Sequence, residues 1–149
     1  MTLPHIRELR AADVTAVAEL AAVALPDAWS EKSINEMLAL HTTWGLVMVA
    51  EEGIVGIVLL QTVLDQTEVL FIMISPTRQR EGLGRCLFAR VMKSSHVKQS
   101  SAVFLEVAVD NQPAITFYLK QGFVEVSRRK NYYSRNGSTI DCICMKLSL

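Results

Sequence analysis

Residues 68–93 read EVLFIMISPTRQREGLGRCLFARVMK, and the order of their parts decides the fold. EVLFIMIS (68–75) is an apolar run of strand length. RQREGLGR (78–85) follows, with three arginines, one glutamate and two glycines. Leu83, Leu87, Phe88, Val91 and Met92 then share one face of a helix. Strand, glycine turn and helix together aim backbone N–H groups and a helix N-terminus at an anion, usually a phosphate. Gly82 and Gly84 let the backbone approach closely, and Arg78, Arg80 and Arg85 add positive charge. A Walker loop is excluded, because Gly84 is followed by Arg85-Cys86 and not by Lys-Ser/Thr. A dinucleotide fingerprint is excluded by Leu87, which stands where a third glycine or alanine is needed. What remains is Gln79-x-x-Gly82-x-Gly84, for which a solvated turn with surface arginines is the bland alternative.

Outward from this unit, strands and helices alternate along one expected domain, 1–149, with no linker or repeat. HIREL (5–9) reads as a short strand, and Asp13 as the N-cap of a helix carrying Val14, Val17, Leu20 and Ala21 until Pro26 stops it. Ser30 caps a second helix with Ile34, Met37 and Leu38. WGLVMVAEEG and IVGIVLLQTVL read as an antiparallel pair turning at Glu52-Gly53. AVFLEVAV (102–109) has the character of an internal strand, followed by a helix from about Pro113 to Lys120 that Gly122 ends. FVEVSRR and TIDCICMKL pair across Asn136-Gly137, a strong hairpin signal. These elements predict a mixed α/β sheet with helices on its faces.

Composition narrows the function classes. Half of the 149 residues are apolar and 15 basic residues balance 15 acidic ones, so no global charge points to nucleic acid or an anionic membrane. No run approaches a membrane span and MTLPHIREL has no apolar signal core. Three cysteines without secretory features suggest reduced thiols and a cytoplasmic protein. Cys142 and Cys144 point to one face of a strand, but His5, His41 and His96 lie far away in sequence. A zinc site needs about four ligands at defined spacings, so packed thiols are the reading and no metal is expected.

Glu106 is the sole ionisable group in VFLEVAV. It could face solvent or form a structural ion pair. It could also stand at the ligand-facing end of the sheet, its pKa raised by partial desolvation, and act as a base. Tyr118 follows twelve residues later in PAITFYLKQ. Its ring could simply pack on the sheet, or its hydroxyl could donate a proton. Asp110 and Asn111 fall in the loop between them.

The series Gln79-x-x-Gly82-x-Gly84, LEV (105–107), Asn111, Tyr118 and GF (122–123) resembles the GNAT acyl-CoA-dependent N-acetyltransferases. AWSE (28–31), RRKNYY (128–133) and DCICM (141–145) are similar to the RimI-type ribosomal-protein-alanine N-acetyltransferases within them. The resemblance covers nearly the whole chain. It implies a mixed, mostly antiparallel sheet with a parallel, splayed central pair and helices on both faces. It implies that acetyl-CoA is the co-substrate, its pyrophosphate held by Arg80, Glu81, Gly82, Leu83, Gly84 and Arg85. Ile72, Met73 and Ile74 would pair by main chain with the pantetheine arm, and Asn111 would also bind the coenzyme. Glu106 would be the proton acceptor and Tyr118 the proton donor, with no covalent enzyme intermediate, which leaves Cys86 a packing role.

The implied substrate is a protein N-terminus, the alanine of a ribosomal protein, with no direct nucleic-acid or membrane partner. Trp29, Tyr132 and Tyr133 would wall the peptide groove, although aromatics beside short loops also serve as core caps. Arg128, Arg129 and Lys130 read as a solvated strand end that could also attract an acidic peptide or ribosomal RNA. Phe71, Ser75 and Pro113 depart from residues common in the family at those places, which bears on pocket shape. A lysine or small-amine acetyltransferase and a silent acyl-CoA-binding module are the alternatives.

Overall fold

Period-two alternation sorts the apolar residues onto the two faces of one sheet. The structure is a computed structural model, and it describes residues 3–24, 29–135 and 137–149; Pro26, Ala28 and Asn136 lie outside these. In chain order the elements are β1 (His5–Glu8), α1 (Val14–Ala24), α2 (Glu31–Leu38), β2 (Thr43–Ala50), β3 (Gly53–Val63) and β4 (Gln66–Ile74). Then come α3 (Leu83–Val97), β5 (Ala102–Ala108), α4 (Gln112–Lys120), β6 (Val124–Arg135) and β7 (Ser138–Ser148). The strand order is β1-β2-β3-β4-β5-β7-β6, antiparallel throughout except for β4 and β5. Leu46 and Met48 of β2 pack in one cluster with Leu83, Leu87, Phe88 and Val91 of α3. Val47, between them, packs in another with Val14, Val17 and Ala21 of α1 and Ile34 of α2. Helices therefore cover both faces, as the resemblance implied. No helix among the described residues is long and apolar enough to cross a membrane.

The feature that positions the site is a bulge in β4. Leu59 stands opposite Phe71 and Leu60 opposite Val69, which leaves Leu70 as an extra residue. Leu70 and Phe71 consequently both pack on the α1/α2 side, while Val69 and Ile72 pack on the α3/α4 side. A bulge bends its strand and increases the local twist. Here β4 pairs with β5 only over 66–68 against 102–104, and past Glu68 the parallel ladder stops. The closed end of this splay is fastened by side chains. Trp44 Nε1 donates to Thr62 Oγ1 at 2.8 Å, and the Thr67 hydroxyl lies 2.8 Å from that of Thr62 and 2.6 Å from that of Ser100. Thr67 is fully buried, so these bonds satisfy groups that water cannot reach.

Two local expectations need correction. Asp13 is not an N-cap but the last residue of a single 3₁₀ turn, Ala11–Asp13, that leads into α1. Its carboxylate accepts from Arg10 N and, through both oxygens, from the Arg7 guanidinium at 2.8 Å, tying the helix to β1. Arg7 holds the Asp13 carboxyl below the usual carboxylate range, mainly through that hydrogen bond. The second correction concerns β6, which does not end at Arg129. It continues to Arg135 through two register shifts against β7, so 128–130 is mid-strand.

Candidate active site

The divergence of β4 from β5 opens a cavity of about 580 Å³. Its walls include Ile72, Met73 and Ile74 of β4, then Arg80, Gly82, Leu83, Gly84 and Arg85, then Pro113, Ala114, Phe117 and Tyr118 of α4. Nine of the residues expected at the site thus line one cavity. Beyond Glu68 the β5-facing edge of β4 has lost its strand partner, which leaves main-chain groups available to an extended ligand.

The loop is shaped by backbone. Arg80 and Gly82 both adopt left-handed conformations, with φ of 66° and 76°. Gly82 is the N-cap of α3, and its carbonyl accepts from Cys86 N. The N–H groups of Leu83, Gly84 and Arg85 precede the first residue that can bond within the helix, so they remain for a ligand. A Cβ at Gly82 would meet no other side chain or backbone atom within 4 Å, whereas a Cβ at Gly84 would lie 3.3 Å from Phe117 Cζ. Gly82 serves the turn and Gly84 serves the approach of α3 to α4. The arginines divide by role. Arg78 is pinned to Glu81 and to Glu52 at 3.0 and 2.9 Å, so its charge is already neutralised. Arg80 and Arg85 are exposed on the cavity rim and carry its positive charge. Glu81 lies outside the cavity wall, held by Arg78. Asn111 also lies outside it, as the N-cap of α4, its Oδ1 accepting from Ala114 N at 3.3 Å.

Tyr118 sits among three phenylalanines, with ring centroids 5.6 to 5.8 Å from Phe88, Phe117 and Phe123. This burial pushes its hydroxyl up to about 12, so it holds its proton throughout the neutral range. Glu106 lies on the other face of the sheet. Its strand neighbours Leu105 and Val107 pack toward α3 and α4, and alternation turns Glu106 away from them. Its side chain is 19% exposed, 3.4 Å from the Arg129 guanidinium and 3.8 Å from Cys144 Sγ. The two expected proton carriers therefore flank the sheet, on opposite faces of β5.

Glu106 has company that the sequence did not reveal. The Glu68 carboxyl is pushed up by burial and then by the Glu106 charge, with Arg129 opposing. A hydrogen bond from the Tyr132 hydroxyl to Glu106, with the Glu106 charge behind it, holds the Tyr132 proton more firmly on. Tyr132 stacks edge-on with Tyr133, centroids 4.9 Å apart, and Arg129 lies over its ring. The tyrosine pair thus stands on the Glu106 face and is not part of the cavity on the other side. Trp29 packs on Phe71 at 5.1 Å, in the α1/α2 cluster, which fits the core-cap alternative. Phe117 was missed, although its spacing from Pro113 and Ala114 places all three on one helix face. Cys86, expected to pack, is exposed, because Leu87 and Phe88 take the buried face of α3.

The cavity, its loop and the splay fit one family, and its sequence pattern is present. The pattern of the acetyltransferase (GNAT) family matches residues 14–123. This chain belongs to that family. A Bacillus subtilis relative of the acetyltransferase, a "Putative [ribosomal protein bS18]-alanine N-acetyltransferase", is 30% identical over 137 residues, 91% of each chain. The Escherichia coli K12 "[Ribosomal protein bS18]-alanine N-acetyltransferase" is 35% identical over 89 residues, 60% of each chain. The crystal structure of the E. coli ribosomal-protein-S18-alanine N-acetyltransferase superimposes with a TM-score of 0.92 at 27% identity, covering 98% of this chain and 94% of that one. The fold of the acetyltransferase is accordingly the GNAT fold, with one parallel pair, β4 and β5, in its sheet.

Proposed function

We propose that this acetyltransferase moves the acetyl group of acetyl-CoA to the N-terminal α-amine of a protein, the alanine of a ribosomal protein. The observation that carries the reading is the single cavity that joins the unpaired edge of β4, the N-terminus of α3 and Tyr118. The fit to the coenzyme follows from those donors. Orphan N–H groups of α3, with Arg80 and Arg85 on the rim, suit a pyrophosphate. The apolar trough along 72–74 suits the pantetheine arm. Acetyl-CoA supplies an acetyl thioester, activated for attack by an amine.

The residues of the chain do the rest by position and charge. A β4 N–H at the splay polarises the thioester carbonyl. The amine arrives from the Glu106 face, where the Tyr132–Tyr133 pair lies beside its path. An α-amine of pKa about 8 is mostly ammonium at neutral pH, while a lysine near 10.4 is more so. Glu106 accepts the proton that the amine must lose and passes it to solvent. Tyr118, on the far side, donates a hydrogen bond to the sulfur as it gains charge. Full transfer from a phenol near 12 to a thiolate of ordinary basicity, about 8.5, runs uphill, so the thiolate takes its net proton from water.

A library of N-terminal peptides, acetylated and read by mass spectrometry, tests the substrate. Alanine-first peptides should be modified at the α-amine far faster than at an internal lysine. Equal rates at the two amines over pH 7 to 9 would replace this reading with a lysine acetyltransferase.

A further inference from the structure

Two cysteine sulfurs and a Glu106 carboxylate oxygen all lie within 4.8 Å of one another. Cys142 and Cys144 are two apart on β7, so alternation puts both thiols on one face, and register sets Cys144 directly opposite Glu106 on β5. Ile143 and Met145, between and beyond them, pack toward α3 and α4. Cys142 is buried, Cys144 half-buried, and neither is in a disulfide. It is the one such three-ligand group found among the described residues.

We propose that Cys142, Cys144 and Glu106 form a binding site for a soft divalent cation of the zinc class, whose occupancy competes with the amine for Glu106. The inhibitory half rests on the reading of Glu106 as the base; the binding half does not. Two thiolates and a carboxylate are a zinc-type donor set, with three protein ligands and a fourth position left to water. Tetrahedral geometry at ordinary bond lengths puts the sulfurs about 3.8 Å apart, so ligand atoms that lie within 4.8 Å of one another need to tighten by at most roughly an ångström. Cys144 Sγ is already 3.8 Å from Glu106 Oε1. The groups that face the cluster are Glu68 from β4 and Arg129 and Tyr132 from β6. Glu68 adds negative charge, and the Arg129 side chain is 60% exposed, free to swing out when a cation takes its place. Binding releases two thiol protons to solvent, forms two metal–sulfur bonds and one metal–oxygen bond, and changes no oxidation state.

Co²⁺ added to the reduced full-length protein should give a thiolate charge-transfer band that saturates at one ion per chain and disappears when Zn²⁺ is added. The band should persist in Cys86→Ala, vanish in the double variant Cys142→Ser, Cys144→Ser, and need at least about tenfold more Co²⁺ in Glu106→Gln. No band in the wild type, or an undiminished band in the double serine variant with its circular dichroism intact, overturns the site. Transferase activity should fall with Zn²⁺, return with a chelator, and resist Zn²⁺ in the double serine variant. A stoichiometric band without inhibition upholds the site and overturns the assignment of Glu106 as base.

Discussion

Under the proposed mechanism Glu106 and Tyr118 make separable demands on a rate measurement, because they lie on opposite sides of β5 and would meet different reactants. Glu106→Gln keeps shape and hydrogen bonding but removes the proposed base, so kcat should fall by roughly 10²–10⁴ at neutral pH. Solvent can deprotonate the amine once pH passes the amine's own pKa, so a pH–rate profile should show this loss shrinking above about pH 8. Tyr118→Phe removes the hydrogen bond proposed for the departing sulfur and should lower kcat by roughly 10². That deficit should persist at high pH and shrink with a more acidic thiol ester. The same tyrosine carries a stability signature. Its pKa is raised on folding, so its contribution is complete below the ordinary value of 10.0 and is lost as pH rises through about 12. Denaturant midpoints should therefore show the wild type losing at most roughly 3 kcal/mol relative to Tyr118→Phe across that window.

Elements were legible in the sequence where one period dominated. The α3 stripe came through because it buries one face against the sheet, and the β2–β3 pair because two apolar runs meet at the Glu52-Gly53 turn. The bulge at Leu70 did not, since an extra apolar residue inside an apolar run leaves the composition unchanged. Nor did the neighbours of Glu106. Arg129 and Tyr132 reach it across two register shifts that break the parity of β6. Arg78 and Asn111 are visible as polar residues beside the site, yet each is already engaged, Arg78 in ion pairs with Glu52 and Glu81 and Asn111 in capping α4. The glycine loop was read correctly as a turn before a helix, but its two glycines do different things. Gly82→Glu sends a carboxylate into the open cavity at a left-handed position, so calorimetry should find acetyl-CoA binding abolished while circular dichroism is retained. At the closed end of the splay, Thr67→Val leaves the Thr62 and Ser100 hydroxyls without a shared partner. Urea unfolding should register about 1–3 kcal/mol of lost stability.

Across the whole molecule, strands β1 to β4 and strands β5 to β7 are plates joined by a seam three residues long. Past this seam the two plates share no backbone ladder, and an arm lying along 72–74 would stitch them as a missing strand does. The co-substrate would then be a structural member of the sheet for as long as it is bound. Acetyl-CoA at a hundredfold excess over its Kd should raise unfolding stability by about 2.7 kcal/mol. Hydrogen exchange should slow most at 72–74 and at the ladder amides of 66–68 and 102–104. Protection confined to the loop at 80–85 would mean that the plates are held together without the arm. After each turnover, release of the thiol product would unpick the stitching, so the resting enzyme should be the form most open to proteolysis along this seam.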